Sequence, residues 1–166
     1  MLFFIQAKII NNLEGLRAMC NAHRSLGKKI VLTTGAYDIL HEGHLKYLLQ
    51  SKSYGDVLVV GINDDKFVRD LKGEGRPVYP ENHRAFMVAG FGCVDIVSIF
   101  NNRLVIVDCV RPDVMVMSST SHAAPNTLPR LKQKEMVEMF GGKVIILNEM
   151  SKYSTTKMIA YLKKMP

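Results

Sequence analysis

Five short apolar runs recur along the chain, and each is continuous rather than interrupted by polar residues at every second position. Continuous apolar runs of this length are typical of strands that are buried on both faces of a parallel sheet. We therefore predict five strands, at residues 30–32, 57–60, 94–97, 114–117 and 144–147.

Segments with helical spacing of apolar residues lie between these runs. The clearest are residues 45–49, 84–89, 131–140 and 155–162. Strands that alternate with helices predict a doubly wound α/β fold with a mainly parallel five-stranded sheet. In such sheets, ligands bind at the carboxyl ends of the strands, where the strand order reverses.

The chain reads as one compact domain, because it has no internal repeat, linker or low-complexity tract. We predict that residues 1–27 form a helical segment before the sheet domain, which we call the lead-in. In it, Asn11 or Asn12 caps a helix that ends near Gly27. Residues 28–166 then form the sheet domain. A length of 166 residues is enough to bury a single substantial core.

Composition narrows the class of protein. No apolar run approaches the 18 or so residues of a membrane span, and the apolar residues 1–5 lack the flanks of a signal peptide. Cys20, Cys93 and Cys109 form no close pair. We therefore predict a cytoplasmic protein with reduced, buried thiols and no membrane partner.

The formal net charge is +7, which favours polyanionic partners. The basic residues are scattered, with no dense stripe or aromatic platform of the kind that binds nucleic acid. We therefore predict a site for phosphorylated small molecules, with a nucleic-acid-binding module as an alternative that rests on net charge alone.

The most informative stretch is residues 33–44, which follows the first predicted strand and runs into a helix. A helix that starts directly after a strand offers free backbone amides to phosphate ligands. His41 and His44 can share one face of the first turn and donate hydrogen bonds to a phosphoryl-transfer transition state. Lys46 adds a nearby charge. We expect the phosphate-binding residues of this stretch to be Thr34, Gly35, Ala36, Tyr37, Asp38 and Gly43, with Asp38 orienting a histidine or a ligand hydroxyl.

Two alternatives for the histidines stay open. They could ligate a metal ion, although zinc sites usually need a third and fourth ligand, and no cysteine pair or H-E-x-x-H pattern supplies them. They could also be two unrelated surface histidines at a helix start.

The pattern G-x-[FY]-D-x-x-H-x-G-H, which spans residues 35–44, resembles the signature of the cytidylyltransferase-like nucleotidyltransferases. Two further segments resemble the adenylyltransferase domain of bacterial heptose-phosphate enzymes, which make ADP-heptose. These segments are residues 72–78, together with Arg84 and residues 93–95, and the S-T-T motif at 154–156. The resemblance covers about residues 28–165.

The resemblance implies a Rossmann-like domain that joins a sugar phosphate, such as heptose 1-phosphate, to a nucleoside monophosphate and releases pyrophosphate. It implies a nucleoside triphosphate (ATP favoured, CTP as the alternative), Mg²⁺ carried by the triphosphate without side-chain ligands, and a homodimer. Lys46, two positions after His44, is more like glycerol-3-phosphate cytidylyltransferases, which implies CTP and a phosphorylated alcohol. A catalytically inactive nucleotide-binding regulator is the alternative of another class.

The remaining motifs each allow a structural and a functional interpretation. Ser154, Thr155 and Thr156 cap a helix, bind the triphosphate, or do both. Lys72 and Arg76 lie in a glycine-containing loop that is either a solvated turn or a closure over the nucleotide. Arg84 is either a catalytic cation or the partner of Asp95 in a salt bridge, and Asn63-Asp64 either cap a helix or contact ligand.

One segment departs from the heptose-phosphate pattern. Met117 stands where the resemblance implies a lysine, and hydroxyl side chains and a histidine replace the glycine-rich loop that should follow. Hydroxyls and a neutral imidazole discriminate by hydrogen-bond geometry rather than by charge. We therefore expect this loop to select the nucleotide or the acceptor through Ser118, Ser119 and His122.

Overall fold

The computed structural model of the protein describes residues 2–119, 127–162 and 165. Five strands form one sheet in which all neighbouring strands are parallel. They are β1 (Ile30–Gly35), β2 (Val57–Asn63), β3 (Ile96–Phe100), β4 (Val114–Ser118) and β5 (Lys143–Leu147), in the spatial order β3-β2-β1-β4-β5. The α/β prediction is confirmed. The strand order reverses between β1 and β4, which places the ligand-binding crevice of such sheets at their carboxyl ends.

The described residues form eight helices. They are α1 (Leu2–Ala7), α2 (Leu13–Ser25), α3 (Glu42–Lys52), α4 (Asp65–Lys72), α5 (Glu81–Ala89), α6 (Arg103–Val110), α7 (Leu128–Met139) and α8 (Thr155–Leu162). All four helices that the apolar spacing predicts are present. None of the described helices is both long and apolar enough to cross a membrane.

Two apolar clusters cover the two faces of the sheet, and alternate residues of β1 serve both. Ile30 and Leu32 belong to the cluster that includes α2, α6 and α7, whereas Val31 belongs to the one that includes α3 and α5. Side chains of successive strand residues point to opposite faces. Burial on both faces therefore explains why the strands read as continuous apolar runs.

The third apolar run begins before its strand does. The run predicts a strand from residue 94, but β3 starts at Ile96. Asp95 lies just before the strand and contacts β2 through its side chain. Its carboxylate accepts from the backbone N–H of Leu58 at 2.7 Å and from Lys52 Nζ at 2.5 Å.

The lead-in helix packs into the core. Asn12 caps α2 by accepting from the N–H of Gly15, and the chain leaves the helix at Gly27 with φ +71°, which is a glycine conformation. Leu16 and Cys20 are fully buried in the cluster with α6 and α7. The predicted cap and helix end are confirmed, while a domain boundary near residue 27 stays a prediction. The three cysteines are free thiols, and Cys93 is only half-buried rather than buried as predicted.

Candidate active site

A cavity of about 480 Å³ opens at the carboxyl ends of β1, β2 and β4. It gathers residues that lie up to 123 positions apart in sequence, from the first strand to the last helix. Most of the site residues predicted from sequence line it, namely Thr34, Gly35, Ala36, Tyr37, Asp38, His41, Gly43, His44, Asn63, Lys72, Ser118, Ser154, Thr155 and Thr156.

The two histidines hold each other and the start of α3. His41 precedes the helix, and its Nδ1 accepts from the N–H of Gly43 at 3.2 Å. His44 Nδ1 accepts from the N–H of His41 at 3.3 Å, so each side chain satisfies a backbone donor of the first turn. The two ring centroids are 4.0 Å apart. The predicted pairing of the histidines at one helix start is confirmed.

These bonds determine the tautomer of both rings. A nitrogen that accepts from an amide carries no proton, so the proton of each neutral imidazole is on Nε2. Burial lowers the pKa of His44 to about 3, aided by the charges of His41 and Lys72, and burial also lowers the pKa of His41. At neutral pH the site therefore presents two neutral imidazoles, each with an Nε2–H donor.

Two glycines allow the rings to sit close to the backbone. A Cβ on Gly35 would lie 2.8 Å from the ring of Tyr37, which is buried and adopts a left-handed φ of +49°. A Cβ on Gly43 would lie 2.9 Å from the Cβ of Ser151 and 3.0 Å from the ring of His41. Glycine at both positions is therefore required by the packing around the histidines.

Asp38 orients a loop rather than a histidine, which corrects the first expectation for it. Its carboxylate accepts from Arg76 Nε at 2.7 Å and from the N–H groups of Val78 and Tyr79 at 2.8 and 3.1 Å. The carboxylate side chain is 1% exposed and that of Arg76 is 10% exposed. Arg76 is therefore not a solvated turn residue, because this buried ion pair joins the glycine-containing loop to the signature motif.

Arg84 is a buried structural residue, and the predicted salt bridge between Arg84 and Asp95 is wrong. The Arg84 guanidinium binds the carbonyl oxygens of Ala36, Asn63 and Tyr79, and its Nη2 lies 2.8 Å from the carboxylate of Asp65. Asp95, which lies just before β3, pairs with Lys52 instead. Arg84 does not line the cavity, so a direct catalytic role is not what this geometry favours.

Other predicted residues lie outside the cavity. Lys46 pairs with Glu42 at 3.2 Å on the exposed surface of α3. Asp64 is the N-cap of α4, accepting from the N–H of Phe67 at 2.6 Å, so its structural interpretation is correct. Ser119 donates its backbone N–H to Leu147 O, and its side chain does not line the cavity. His122 lies outside the described residues.

The start of α8 lines the cavity and contacts the loop after β1. Ser154 Oγ accepts from the N–H of Lys157 at 3.2 Å, and Thr155 Oγ1 donates to Ile39 O at 2.9 Å. Ser151 Oγ donates to Glu42 at 3.0 Å and so attaches the preceding loop to α3. The predicted helix cap is confirmed, and Ser154, Thr155 and Thr156 line the cavity.

Sequence reasoning missed several lining residues. Tyr47 lies on α3, and its hydroxyl contacts Thr33 Oγ1 at 2.7 Å and donates to Val116 O at 3.0 Å. Arg103 and Arg130 lie at the starts of α6 and α7. The proline before Arg130 marks that helix start in the sequence, but no local motif marks either arginine as a ligand. The loop after β5 adds Asn148, Glu149, Met150, Ser151, Tyr153 and Lys157.

Met117 does not face the cavity. It is 3% exposed and packs in the apolar cluster with α6 and α7, whereas Ser118 reaches the cavity. The described residues contain no group of three histidine, cysteine, aspartate or glutamate side chains that could hold a metal ion. The two-histidine metal site therefore finds no further ligand in this part of the chain.

Comparisons with known proteins agree with this geometry. A family model described as cytidylyltransferase-like matches residues 32–160. The chain is 42% identical over 152 residues to the bifunctional protein HldE of Geobacter metallireducens and 36% identical over 157 residues to that of Geobacter sulfurreducens. These alignments cover 90% and 93% of this chain but only 30% and 31% of those relatives, so the chain spans about a third of their length.

Solved structures share the fold. A lipopolysaccharide core biosynthesis protein from Thermoplasma volcanium is 29% identical with a TM-score of 0.61, and the match covers 77% of this chain and all of that one. A pantoate-beta-alanine ligase from Francisella tularensis has a TM-score of 0.60 over 93% of this chain and 76% of that one. At 15% identity, the second supports the Rossmann-like fold alone. Because the family model covers most of the sequence, including the histidine motif and the start of α8, this chain belongs to the cytidylyltransferase-like family.

Proposed function

We propose that this chain transfers AMP from ATP to a sugar phosphate of the heptose 1-phosphate class and releases pyrophosphate. The observation that carries the proposal is the pair of neutral histidines at the start of α3, whose Nδ1 atoms both accept from backbone amides. The similarity to HldE proteins supports the sugar phosphate as acceptor.

In the proposed reaction, an oxygen of the accepting phosphate attacks the α-phosphorus of the triphosphate. A new P–O bond forms as the bond from the α-phosphorus to the bridging oxygen of the β-phosphate breaks, and that electron pair leaves with pyrophosphate. The Nε2–H groups of His41 and His44 donate to the phosphoryl oxygens, where charge accumulates in the transition state. No covalent intermediate on the protein is required.

The start of α8 holds the leaving pyrophosphate. Its free amides and the hydroxyls of Thr155 and Thr156 lie on the cavity wall, together with Lys157. A helix N-terminus favours anions through its unpaired N–H groups and its dipole. Lys72 adds a cation from the end of α4, next to the loop that Asp38 and Arg76 hold in place.

Mg²⁺ fits this site as an ion that the triphosphate brings with it, without side-chain ligands. The cavity wall is rich in amides, hydroxyls, imidazoles and cations, and Asp38 is already committed to Arg76 and two amides. When bound, Mg²⁺ neutralises part of the phosphate charge. A cytoplasmic location, predicted from the cysteines, and a homodimer, implied by the family resemblance, complete the proposal.

Pyrophosphate release tests the proposal. ATP and CTP are each combined with heptose 1-phosphate and glycerol 3-phosphate, with and without a chelator and added Mg²⁺. We expect the highest kcat/KM for ATP with heptose 1-phosphate and a requirement for Mg²⁺. A preference for CTP with glycerol 3-phosphate would replace the proposed substrates. Tight nucleotide binding without release for any pair would instead identify a nucleotide-binding regulator.

A further inference from the structure

One part of the cavity is not used by the histidines or by α8. Asn63 ends β2, and Arg103 begins α6, the helix that follows β3. Arg130 lies in the first turn of α7, after β4. All three side chains line the same cavity. Asn63 and Arg103 lie on the β2–β3 side of β1, whereas α8 follows β5 at the other edge of the sheet.

Arg103 and Arg130 both line this cavity. Arg130 is only 5% exposed. The guanidinium carbon of Arg103 lies 4.7 Å above the centroid of the Phe67 ring, in a cation–π contact. Burial lowers the pKa of Arg103, and the charge of Arg130 lowers it further. A phosphate dianion bound at this site would accept charge-assisted hydrogen bonds from both planar guanidinium groups.

Asn63 supplies a neutral donor beside them. Its side chain is 6% exposed, and its Nδ2 makes no hydrogen bond within the described part of the chain. Its backbone carbonyl is held by Arg84 at 2.7 Å, so the residue is fixed in place. A buried amide nitrogen without a partner is unfavourable unless a ligand accepts from it.

We propose that Arg103 and Arg130 bind the accepting phosphate and that Asn63 donates to the same phosphate or to an adjoining hydroxyl of the sugar. This inference rests on the proposed function and specifies its acceptor half. In-line displacement requires the attacking oxygen to approach the α-phosphorus from the side opposite to pyrophosphate. In the proposed arrangement α8 holds the leaving side, and Asn63 and Arg103, on the β2–β3 side of β1, hold the attacking side. Arg130, which follows β4, completes the arginine pair. Its charge offsets the repulsion between a phosphomonoester dianion and the triphosphate.

Steady-state kinetics of Arg103→Gln and Arg130→Gln test the inference. Each variant should raise the KM for heptose 1-phosphate roughly 10- to 100-fold, the range expected for loss of a charge-assisted hydrogen bond. The KM for ATP should change less than about threefold, because the triphosphate uses other donors. Lys134→Gln is the matched control: it removes the same charge from an exposed position on α7 and should change neither constant.

Two additional variants keep the test decisive. Asn63→Ala should raise the KM for the acceptor, and Arg103→Lys should recover part of what Arg103→Gln loses, because the charge returns without the planar fork. Thermal melts identify any variant that fails to fold; if Arg130→Gln does, Arg103→Gln and Asn63→Ala decide. An equal rise in the ATP and acceptor KM, or no rise in the acceptor KM, overturns the inference.

Binding of inorganic phosphate, measured by calorimetry without nucleotide, separates this inference from the proposed function. We expect binding to wild type that Arg103→Gln weakens and Lys134→Gln does not. If wild type transfers nucleotide to no sugar phosphate, the proposed function fails, while this binding result would still identify the anion site. If wild type is active and phosphate binding is equal in all three proteins, the inference alone fails.

Discussion

At the residue scale, two backbone amides determine the chemistry of the histidines. By donating to Nδ1 of His41 and His44, they leave Nε2 as the protonated nitrogen of both neutral rings. A donor whose orientation is set before the substrate binds stabilises developing charge without reorganisation during the reaction. The same bonds cap α3, so one pair of side chains provides both the fold of the helix start and its chemistry.

Replacing His44 by alanine should lower kcat by roughly 10²- to 10³-fold, the usual scale for one preorganised transition-state donor. The measurement is pyrophosphate release at saturating ATP and acceptor. His83→Ala is the control, since His83 is exposed on α5 and stacks on Tyr79 outside the cavity. A kcat for His44→Ala close to that of wild type would contradict the proposed role.

Stability should depend on pH through His44. Its pKa is about 3 in the folded protein, against an ordinary value near 6.5. The unfolded chain therefore binds this proton first, so the free energy of unfolding should fall as pH decreases from about 6.5 towards 3. Urea unfolding across this range should show a shallower decline for His44→Gln. Equal slopes for both proteins would show that His44 is not buried in its neutral form.

At the element scale, the loop between α4 and α5 is held by charge. The carboxylate of Asp38 binds Arg76 and two backbone amides of the loop, and Lys72 projects from the end of α4 into the cavity. Gly73 and Gly75 adopt φ values of +87° and +76°, which turn the chain away from the helix. The loop that follows Lys72 is therefore held by a buried ion pair, which supports the position of this cation at the site.

Asp38→Asn should destabilise the fold by about 3 kcal/mol, because it leaves the buried Arg76 guanidinium without its counter-charge. Urea unfolding measures the effect. Asp70→Asn, which disrupts an exposed pair with Lys66, should leave the urea midpoint nearly unchanged. A similar small shift in both variants would show that the Asp38 pair is not part of the folded framework.

Lys72 should give activity an alkaline limit. Burial and the neighbouring Arg76 lower its pKa to about 8, so the cation is present at neutral pH and is lost as pH rises through 8. We expect kcat/KM of wild type to fall above that pH. Lys72→Arg keeps its charge throughout and should show a flat profile to about pH 9. The same alkaline decline in both proteins would assign the titration to another group.

At the scale of the whole molecule, the lead-in helix and the sheet share one core. Leu16 of α2 is fully buried among residues of β1, α6 and α7, and Arg17 forms an ion pair with Asp108 of α6 at 2.7 Å. A helix whose apolar side chains complete one face of the sheet unfolds together with it. Helix α2 therefore supports one face of the sheet that carries the site.

Leu16→Ala should lower the free energy of unfolding by about 2 to 5 kcal/mol, the range for truncating a buried leucine. Leu26→Ala is the control, since Leu26 is 71% exposed just after the same helix. Urea unfolding should remain a single transition for both variants. A separate early transition in Leu16→Ala, with little change in the main one, would show that the lead-in folds independently.

Local patterns in the sequence were sufficient for the strands and for the centre of the site. The apolar runs identified all five strands, and the spacing of His41 and His44 placed both rings at one helix start. The hydroxyls of 154–156 likewise marked the start of α8. These features depend on a few neighbouring residues, through side-chain periodicity and helix capping, so they can be recognised without knowledge of the fold.

Long-range partners were decided only by the tertiary structure. Asp38 meets Arg76 and Arg84 meets Asp65, because the crossovers bring the loop and α5 against the end of β1. Arg103 and Arg130, which are 27 positions apart, face one cavity only because α6 and α7 begin at the same edge of the sheet. The sequence alone determined the chemistry of each charged side chain. Such a side chain can, however, form pairs of similar strength with many different groups. Strand order and helix packing determined which partner lies within reach.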